Sequence, residues 1–490
     1  MDRGGGAGVR KIGIVASGAS ETGAKVILNE GEEKAVKVED LVLIKNRNGN
    51  DVFAVCRGGL GSNDNLKTGA YSPGVAYARR GKKPSSAKEF YEFKLSVIGD
   101  VTIRLMQNKG IIAPCSDVYV FEEGDNPMGY LGSSSITIGY YKEHPSWSVP
   151  VEPKFIPYHI GVFSVTGGGK SFLARYELIP LLRKAGYDVL IFDWKGSDYV
   201  PYFENVISFS DIALDDDVVL SYLTSKMDYF GYTGEYKHRN AIRDTLEDVI
   251  YEMNWRETPA EEFKGFLQKN VIGILRSENT DRQGSVDSYG KRYIRKFHKA
   301  LRKLEDRDFK NILGNMTPED ILKVTREAHV VAIDVSKTGK DEKLSIFLSI
   351  TKYLRELMEQ KKRLNLALLI DEGPQYCPFM PKGPEYDCTE MISQLCALGR
   401  SYNLSVVLLS QGIAGEIGIN ASIRRNLNTQ FIGKIHPLDL YEASQLLSAL
   451  DLDPNFLVSL PEGHFYFLGN MNPSPVPLLI TFSIDKGERP

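Results

Sequence analysis

Ser164-Val165-Thr166-Gly167-Gly168-Gly169-Lys170-Ser171 decides how this chain is read. It ends an apolar run, 159–165, and opens a helix-forming stretch, 171–184. Gly186 closes that stretch before a second apolar strand, 188–193. Strand, glycine turn, helix, strand is the unit of a parallel α/β sheet and the context a phosphate-binding P-loop requires. Consecutive glycines let backbone N–H groups wrap a phosphate, and the helix N-terminus adds the positive end of its dipole. Thr166, Gly167, Gly168, Gly169, Lys170, Ser171 and Phe172 are therefore the nucleotide-binding candidates, for ATP with Mg²⁺. Lys170 is suited to neutralise β- and γ-phosphate charge and Ser171 Oγ to ligate Mg²⁺. One position departs from G-x-x-x-x-G-K-[ST]. Ser164 stands where the first glycine is expected, which puts full turnover in question. The competing reading is a glycine-rich turn with an incidental lysine.

About 200 residues further on, Leu366-Ala367-Leu368-Leu369-Ile370 ends in Asp371 and Glu372. Open α/β sheets place their ligands at the carboxyl ends of strands. Asp371 suits a Mg²⁺ held through water, and Glu372 suits a base that polarises the attacking water. Neighbours on a strand point to opposite faces, so both acids serve one site only if the strand ends there. Strand 405–410 ends in Gln411, which suits sensing of the γ-phosphate or orientation of water; it also reads as an ordinary polar strand end. Asp193, at the end of 188–193, either tunes the metal and water or caps the following turn.

Apolar residues at 42% and charged residues at 25% are ordinary for a globular chain, and 490 residues predict two to four domains. The net charge of −3 gives no global basic signature, so any nucleic-acid contact must be local. No apolar run spans a bilayer, the start lacks a secretory pattern, and five cysteines form no CxxC pair. A cytoplasmic location without membrane contact is the expectation.

The expected fold class is α/β: a RecA-like P-loop core with a parallel-rich sheet, a helical insertion and a small N-terminal β-barrel. Residues 1–150 read as short strands broken by Gly, Asn, Ser and Pro, with 61–89 as a patternless insertion. The core is expected over 151–213 and 328–490, with a C-terminal extension and a final strand at 464–469. Residues 214–327 read as the helical insertion. Within it, KRYIRKFHKALRK (291–303) carries seven Lys/Arg and no acid, with Ile294, Phe297, Leu301 and Leu304 assigned to one helical face. Its favoured reading is a packed amphipathic helix with a solvated outer face; tracking phosphates or binding an acidic partner is the other.

Together TGGGKS (166–171), FDWKGSDY (192–199), LLIDEGPQYCP (368–378), LGRSYNLSVVLLSQ (398–411) and RRNLNTQFIGKI (424–435) resemble the HerA family of DNA translocases, within the FtsK–HerA group. The N-terminal part is similar to that family's HAS barrel. The resemblance implies a homohexameric ATPase ring with DNA in its pore and a NurA-type nuclease partner. It also implies that Arg400 acts as a finger on ATP bound by a neighbouring subunit. Where that family often carries an Arg before the P-loop strand, this chain has Ile156-Pro157-Tyr158-His159. In RecA-like rings the loops after the fourth and fifth sheet strands tend to face the pore; here the expected loops are 376–387, with Lys382, and 412–425, with Arg424 and Arg425. A helicase-type motor for DNA end processing is the leading reading. A nucleotide-gated scaffold for a nuclease or defence effector, or a soluble packaging ATPase, are the alternatives.

Overall fold

The computed structural model describes residues 9–67, 73–83, 89–216, 218–219, 247–248, 258–280, 284–303, 314–413, 415–447 and 452–483. The chain divides into two compact units, one of 1–185, 411–415 and 427–486, the other mainly of 186–410 and 416–426.

The first unit begins with a closed barrel of β1 (Val9–Val15), β2 (Gly23–Leu28), β3 (Leu41–Lys45), β4 (Asp51–Asn63), β5 (Glu89–Asp100) and β6 (Asp117–Phe121), in the order β1-β2-β5-β4-β3-β6. Inward residues such as Ile12, Val26, Val42, Ala54 and Leu95 alternate with outward ones and fill its core. The β4–β5 ladder runs out to Asn63 opposite Glu89. Residues 61–63 are thus strand, and Pro73–Arg79 is a helix, within the stretch expected to lack pattern; 68–72 and 84–88 lie outside the described residues.

The barrel is complete by Phe121, well before residue 150. The next strands, β7 (Thr137–Tyr141) and β8 (Ser148–Pro150), leave it and pair with each other. They belong to a second sheet with β9 (Ile160–Phe163), β15 (Thr429–Ile432), β16 (His464–Gly469) and β17 (Leu478–Thr481). β17 pairs antiparallel with both β16 and β7, so the chain's last described strand lies beyond the one expected to be final. β9 and β15 are parallel.

A buried polar cluster joins barrel and sheet. Arg57 of β4 pairs with Glu39 and donates to Pro477 O at 2.7 Å. Glu39 accepts from Tyr466 Oη at 3.0 Å, and its carbonyl accepts from Tyr141 Oη at 2.8 Å. Arg57 and Glu39 are 2% and 3% exposed, so each charge depends on the other.

Among the described residues the second unit holds five parallel strands: β11 (Val206–Ser208), β12 (Val330–Asp334), β10 (Asp188–Asp193), β13 (Leu366–Ile370) and β14 (Leu404–Ser410), in that order. β13 and β14 are buried along their whole length, as the largely apolar strands of a parallel sheet covered on both faces are. Helices Lys340–Glu359 and Pro384–Tyr402 pack together. The latter begins five residues before the expected 389, because Pro384 is admissible in a first turn, where its missing N–H has no helical partner.

In the insertion, the described helices are Ala260–Glu278, Ser288–Leu301 and Pro318–Ala328. On Ser288–Leu301 the buried face is Gly290, Tyr293, Phe297, Ala300 and Leu301. That corrects the expected stripe: Ile294 is only half-buried, and Leu304 lies outside the described residues.

Candidate nucleotide site

In the first unit, β9 delivers the chain into the glycine turn. Gly167 and Gly169 take positive φ of 78° and 97°, which L side chains rarely adopt. Lys170 opens the helix and donates from Nζ to Ser164 O at 2.8 Å and Val165 O at 3.2 Å. Val165 N donates to Lys434 O at 2.8 Å, tying the turn to the end of β15. Thr166 Oγ1 donates to Gln411 Oε1 at 3.0 Å, so these two candidates are brought together.

Ser164 has a structural account. It is 1% exposed, and its Oγ donates to Lys434 O at 3.0 Å. A Cβ at Gly168 would overlap that Oγ, and one at Gly433 would crowd it. Two glycines elsewhere make room for the side chain that the expected first glycine lacks.

The helix is α-helical over Lys170–Phe172, π-helical over Leu173–Leu178 and α-helical again over Ile179–Lys184. Pro180 lacks an N–H, and its ring would crowd the carbonyl four residues earlier in a regular α-turn; the wider π-turn relieves both. Phe172 has its ring under the buried Arg175 guanidinium, 4.7 Å from the centroid.

In the second unit, β13 ends at Ile370, and Glu372 adopts the left-handed conformation at φ 52°. Such a backbone costs a non-glycine residue on the order of 1–3 kcal/mol and is held by its surroundings. It turns the chain out of the strand, as two adjacent acids serving one site require. Asp371 is 3% exposed, and its Oδ2 is buried without a hydrogen-bond partner among the described residues. Burial, then the charges of Glu372, Asp198 and Asp193, push its pKa up to about 8, against the opposing Lys195. A buried, unsatisfied carboxyl among other acids is a place a divalent cation fits. Among the described residues no group of three or more His, Cys, Asp or Glu could hold a metal by itself.

Asp193 takes the capping alternative. Its Oδ1 accepts from Lys195 N at 3.2 Å and Gly196 N at 2.8 Å, and its Oδ2 from Tyr199 N at 2.8 Å and Val200 N at 3.0 Å. Four backbone donors occupy both oxygens, so its part is to fix the turn after β10. That turn carries Lys195, whose Nζ pairs with Glu372 Oε1. Sequence reasoning misses Lys195, although it sits inside FDWKGSDY shortly after the strand-ending acid. Lys343, buried, donates to Trp194 O at 2.7 Å and lies 4.4 Å from the Trp194 ring centroid, fixing the same turn from behind.

Arg400 is exposed at the last turn of Pro384–Tyr402. Lys382 is exposed near the exposed Phe379 and Met380. Arg424 and Arg425 lie not in a loop but on the helix Ala421–Asn426, the first half-buried and the second exposed.

Residues 136–354 match the family described as "Helicase HerA, central domain". Over this stretch the chain is similar to the HerA central domain. Solved structures with a similar fold include VirB4 of Thermoanaerobacter pseudethanolicus, 16% identical, with a TM-score of 0.50 over 72% of this chain and 97% of that one. The plasmid coupling protein TrwB, in complex with the GTP analogue GDPNP, is 14% identical, with a TM-score of 0.49 over 76% and 94%. The genome packaging NTPase B204 of Sulfolobus turreted icosahedral virus 2, with ATP-gammaS, is 12% identical, with a TM-score of 0.34 over 67% and 99%. No curated protein matches the chain by sequence. The fold around the HerA-like domain is the expected α/β one with a parallel-rich sheet, a RecA-like P-loop core. Among the described residues no helix is long and apolar enough to cross a membrane.

Proposed function

We propose that the chain is an ATP-hydrolysing motor that moves along DNA as a helicase-type translocase. The observation that carries the reading is Asp371: a buried carboxyl with an unsatisfied oxygen, directly before a base candidate in a strained turn, in a chain that also builds a full P-loop turn. Lys170 neutralises phosphate charge, and the N–H groups of 167–171 hold the phosphates. Ser171 and Asp371 are the residues that would hold Mg²⁺ if the chain works as the HerA resemblance implies, and the ion would supply neutralisation of phosphate charge. Glu372 accepts the proton of the attacking water. Gln411, held by Thr166, is placed to report the γ-phosphate, and Arg400 of a neighbouring subunit stabilises the transferring group.

The resemblance to HerA supports a homohexamer, a DNA track and a NurA-type nuclease partner in DNA end processing. The scaffold alternative draws on Ser164; Gly168 and Gly433 leave room for that side chain, which supports an intact glycine turn. The test is ATPase rate with and without duplex DNA, with size in solution measured alongside. A ring whose turnover DNA raises severalfold fits the motor. A ring that binds ATP and is indifferent to DNA is the scaffold, and a protein that neither binds nor hydrolyses ATP overturns both.

A further inference from the structure

The basic segment 291–303 keeps most of its cations exposed, as a solvated outer face would, and most of them line one side of an open cleft. Helices Ala260–Glu278 and Ser288–Leu301 pack through Phe263, Leu267, Val271 and Leu275 on one side and the Tyr293/Phe297/Ala300/Leu301 face on the other. Gly290 lets them close: a Cβ there would strike Asn279 and Val286. Beside this seam lies a cleft of about 870 Å³ with Val286 and Ile294 among its lining. Lys291, Arg295, Lys299 and Arg302 line it from one helix, and Arg276 faces them from the other. Among the described residues no carboxylate lines it.

The spacing of the four is 4, 4 and 3 residues, so they share one helical stripe with a cation about every 6 Å, one turn. Like charges at such spacing repel by a few tenths of a kcal/mol per pair. In a chain whose net charge is −3, acids are available to interleave with them, and this stripe uses none. A concave row of cations with arginine forks on both walls is what a regular polyanion satisfies. Arginine suits phosphate because its planar fork matches two oxygens at once.

The geometry points to a second nucleic-acid site here: a cleft on the helical insertion, outside the nucleotide-binding core, that takes the sugar–phosphate backbone of DNA independently of sequence. The inference rests on DNA being the track of the motor. It adds a hold on the backbone from a part of the chain other than the segments around Lys382, Arg424 and Arg425, so that DNA is retained while those segments let go.

The test uses full-length protein without nucleotide and fluorescein-labelled 30-base-pair duplexes of two unrelated sequences, with anisotropy titrations from 50 to 300 mM salt. Replacing Arg295, Lys299 and Arg302 together with Ala should weaken both duplexes alike, by about tenfold or more near physiological salt. The slope of log affinity against log salt should become shallower by about one for each phosphate no longer neutralised. Arg295→Lys with Arg302→Lys keeps the charge and should keep most of the slope. Thermal unfolding checks that each variant is folded, and Lys170→Ala protein should bind like wild type, which separates this site from the ATPase. Unchanged affinity and slope in the triple Ala variant overturn the inference while leaving the motor standing, as would be found if an acidic protein segment were the occupant. Wild-type protein that binds neither duplex overturns both.

Discussion

Lys195 Nζ pairs with Glu372 Oε1 across the carboxyl ends of β10 and β13, so the base candidate is held by a cation from the turn that Asp193 caps. The lysine is 45% exposed and the glutamate 11%, so the pair sits at the solvent edge and contributes on the order of 1 kcal/mol or less. Lys195→Ala should free Glu372 at that small cost. The expected result is a basal ATPase raised by up to about fivefold, reduced stimulation by DNA, and nucleotide affinity little changed. Steady-state kinetics with and without duplex read this directly. A fall to the level of Glu372→Gln would instead put Lys195 on the phosphates.

Lys170→Ala should remove nucleotide binding or turnover, because the phosphates lose their counter-ion. Glu372→Gln should bind ATP and stall, since the Mg²⁺ and phosphate contacts remain. Near-normal hydrolysis by Lys170→Ala removes the P-loop assignment. If Glu372→Gln fails to bind ATP while Asp371→Asn hydrolyses it, the roles of the two acids are exchanged.

Gly168→Ala drives a methyl into Ser164 Oγ and should cost about 1–3 kcal/mol of stability, with weakened nucleotide binding. Ser164→Gly in the same chain removes the obstacle and should recover a large part of the loss. The two residues are in contact, so the double variant should be better than the sum of the singles. Additive effects in thermal unfolding would show that Ser164 does not set the glycine requirement at 168.

Arg57→Met leaves Glu39 charged and buried, and should cost about 3–5 kcal/mol in urea unfolding. Adding Glu39→Gln removes the stranded charge and should recover part of it. A loss below about 1 kcal/mol for the single variant would mean that water reaches the cluster.

Arg400→Ala should bind ATP nearly normally and hydrolyse it slowly, because fingers of this kind contribute on the order of 10³–10⁵ in rate. Mixed with Lys170→Ala protein, it should regain activity at interfaces where an intact P-loop meets an intact arginine. Mixtures that demonstrably co-assemble and stay inactive at every ratio count against a shared site, or show that the whole ring must fire together.

Strands β10, β13 and β14 are legible because they are largely apolar runs closed by polar residues, a pattern that survives without knowledge of neighbours, whereas β11 is too short to carry one. The glycine turn is legible for the same local reason. What the sequence hides is long-range. Nothing near residue 137 says that β7 leaves the barrel, because its partner β17 lies at 478–481. Likewise the room for Ser164 comes partly from Gly433, and the hold on Glu372 comes from a lysine 177 residues away. The burial stripe of 288–301 differs from its expected one because a helix with aromatic and apolar residues on adjoining faces fits two periodic readings; only the partner helix chooses between them.

Barrel, β7 and β9 come early in the chain, whereas β15, β16 and β17 come late; Ser164 and the carbonyl it donates to are 270 residues apart. During synthesis the parallel sheet of the second unit is finished when residue 410 has emerged, but β9 still lacks the strand that flanks it in its own unit. Pairings of such long separation form slowly and leave open edges meanwhile. The nascent P-loop therefore takes its final shape only once β15 and Lys434 have emerged, and a chain truncated before β15 would lack the carbonyl to which Val165 and Ser164 are tied.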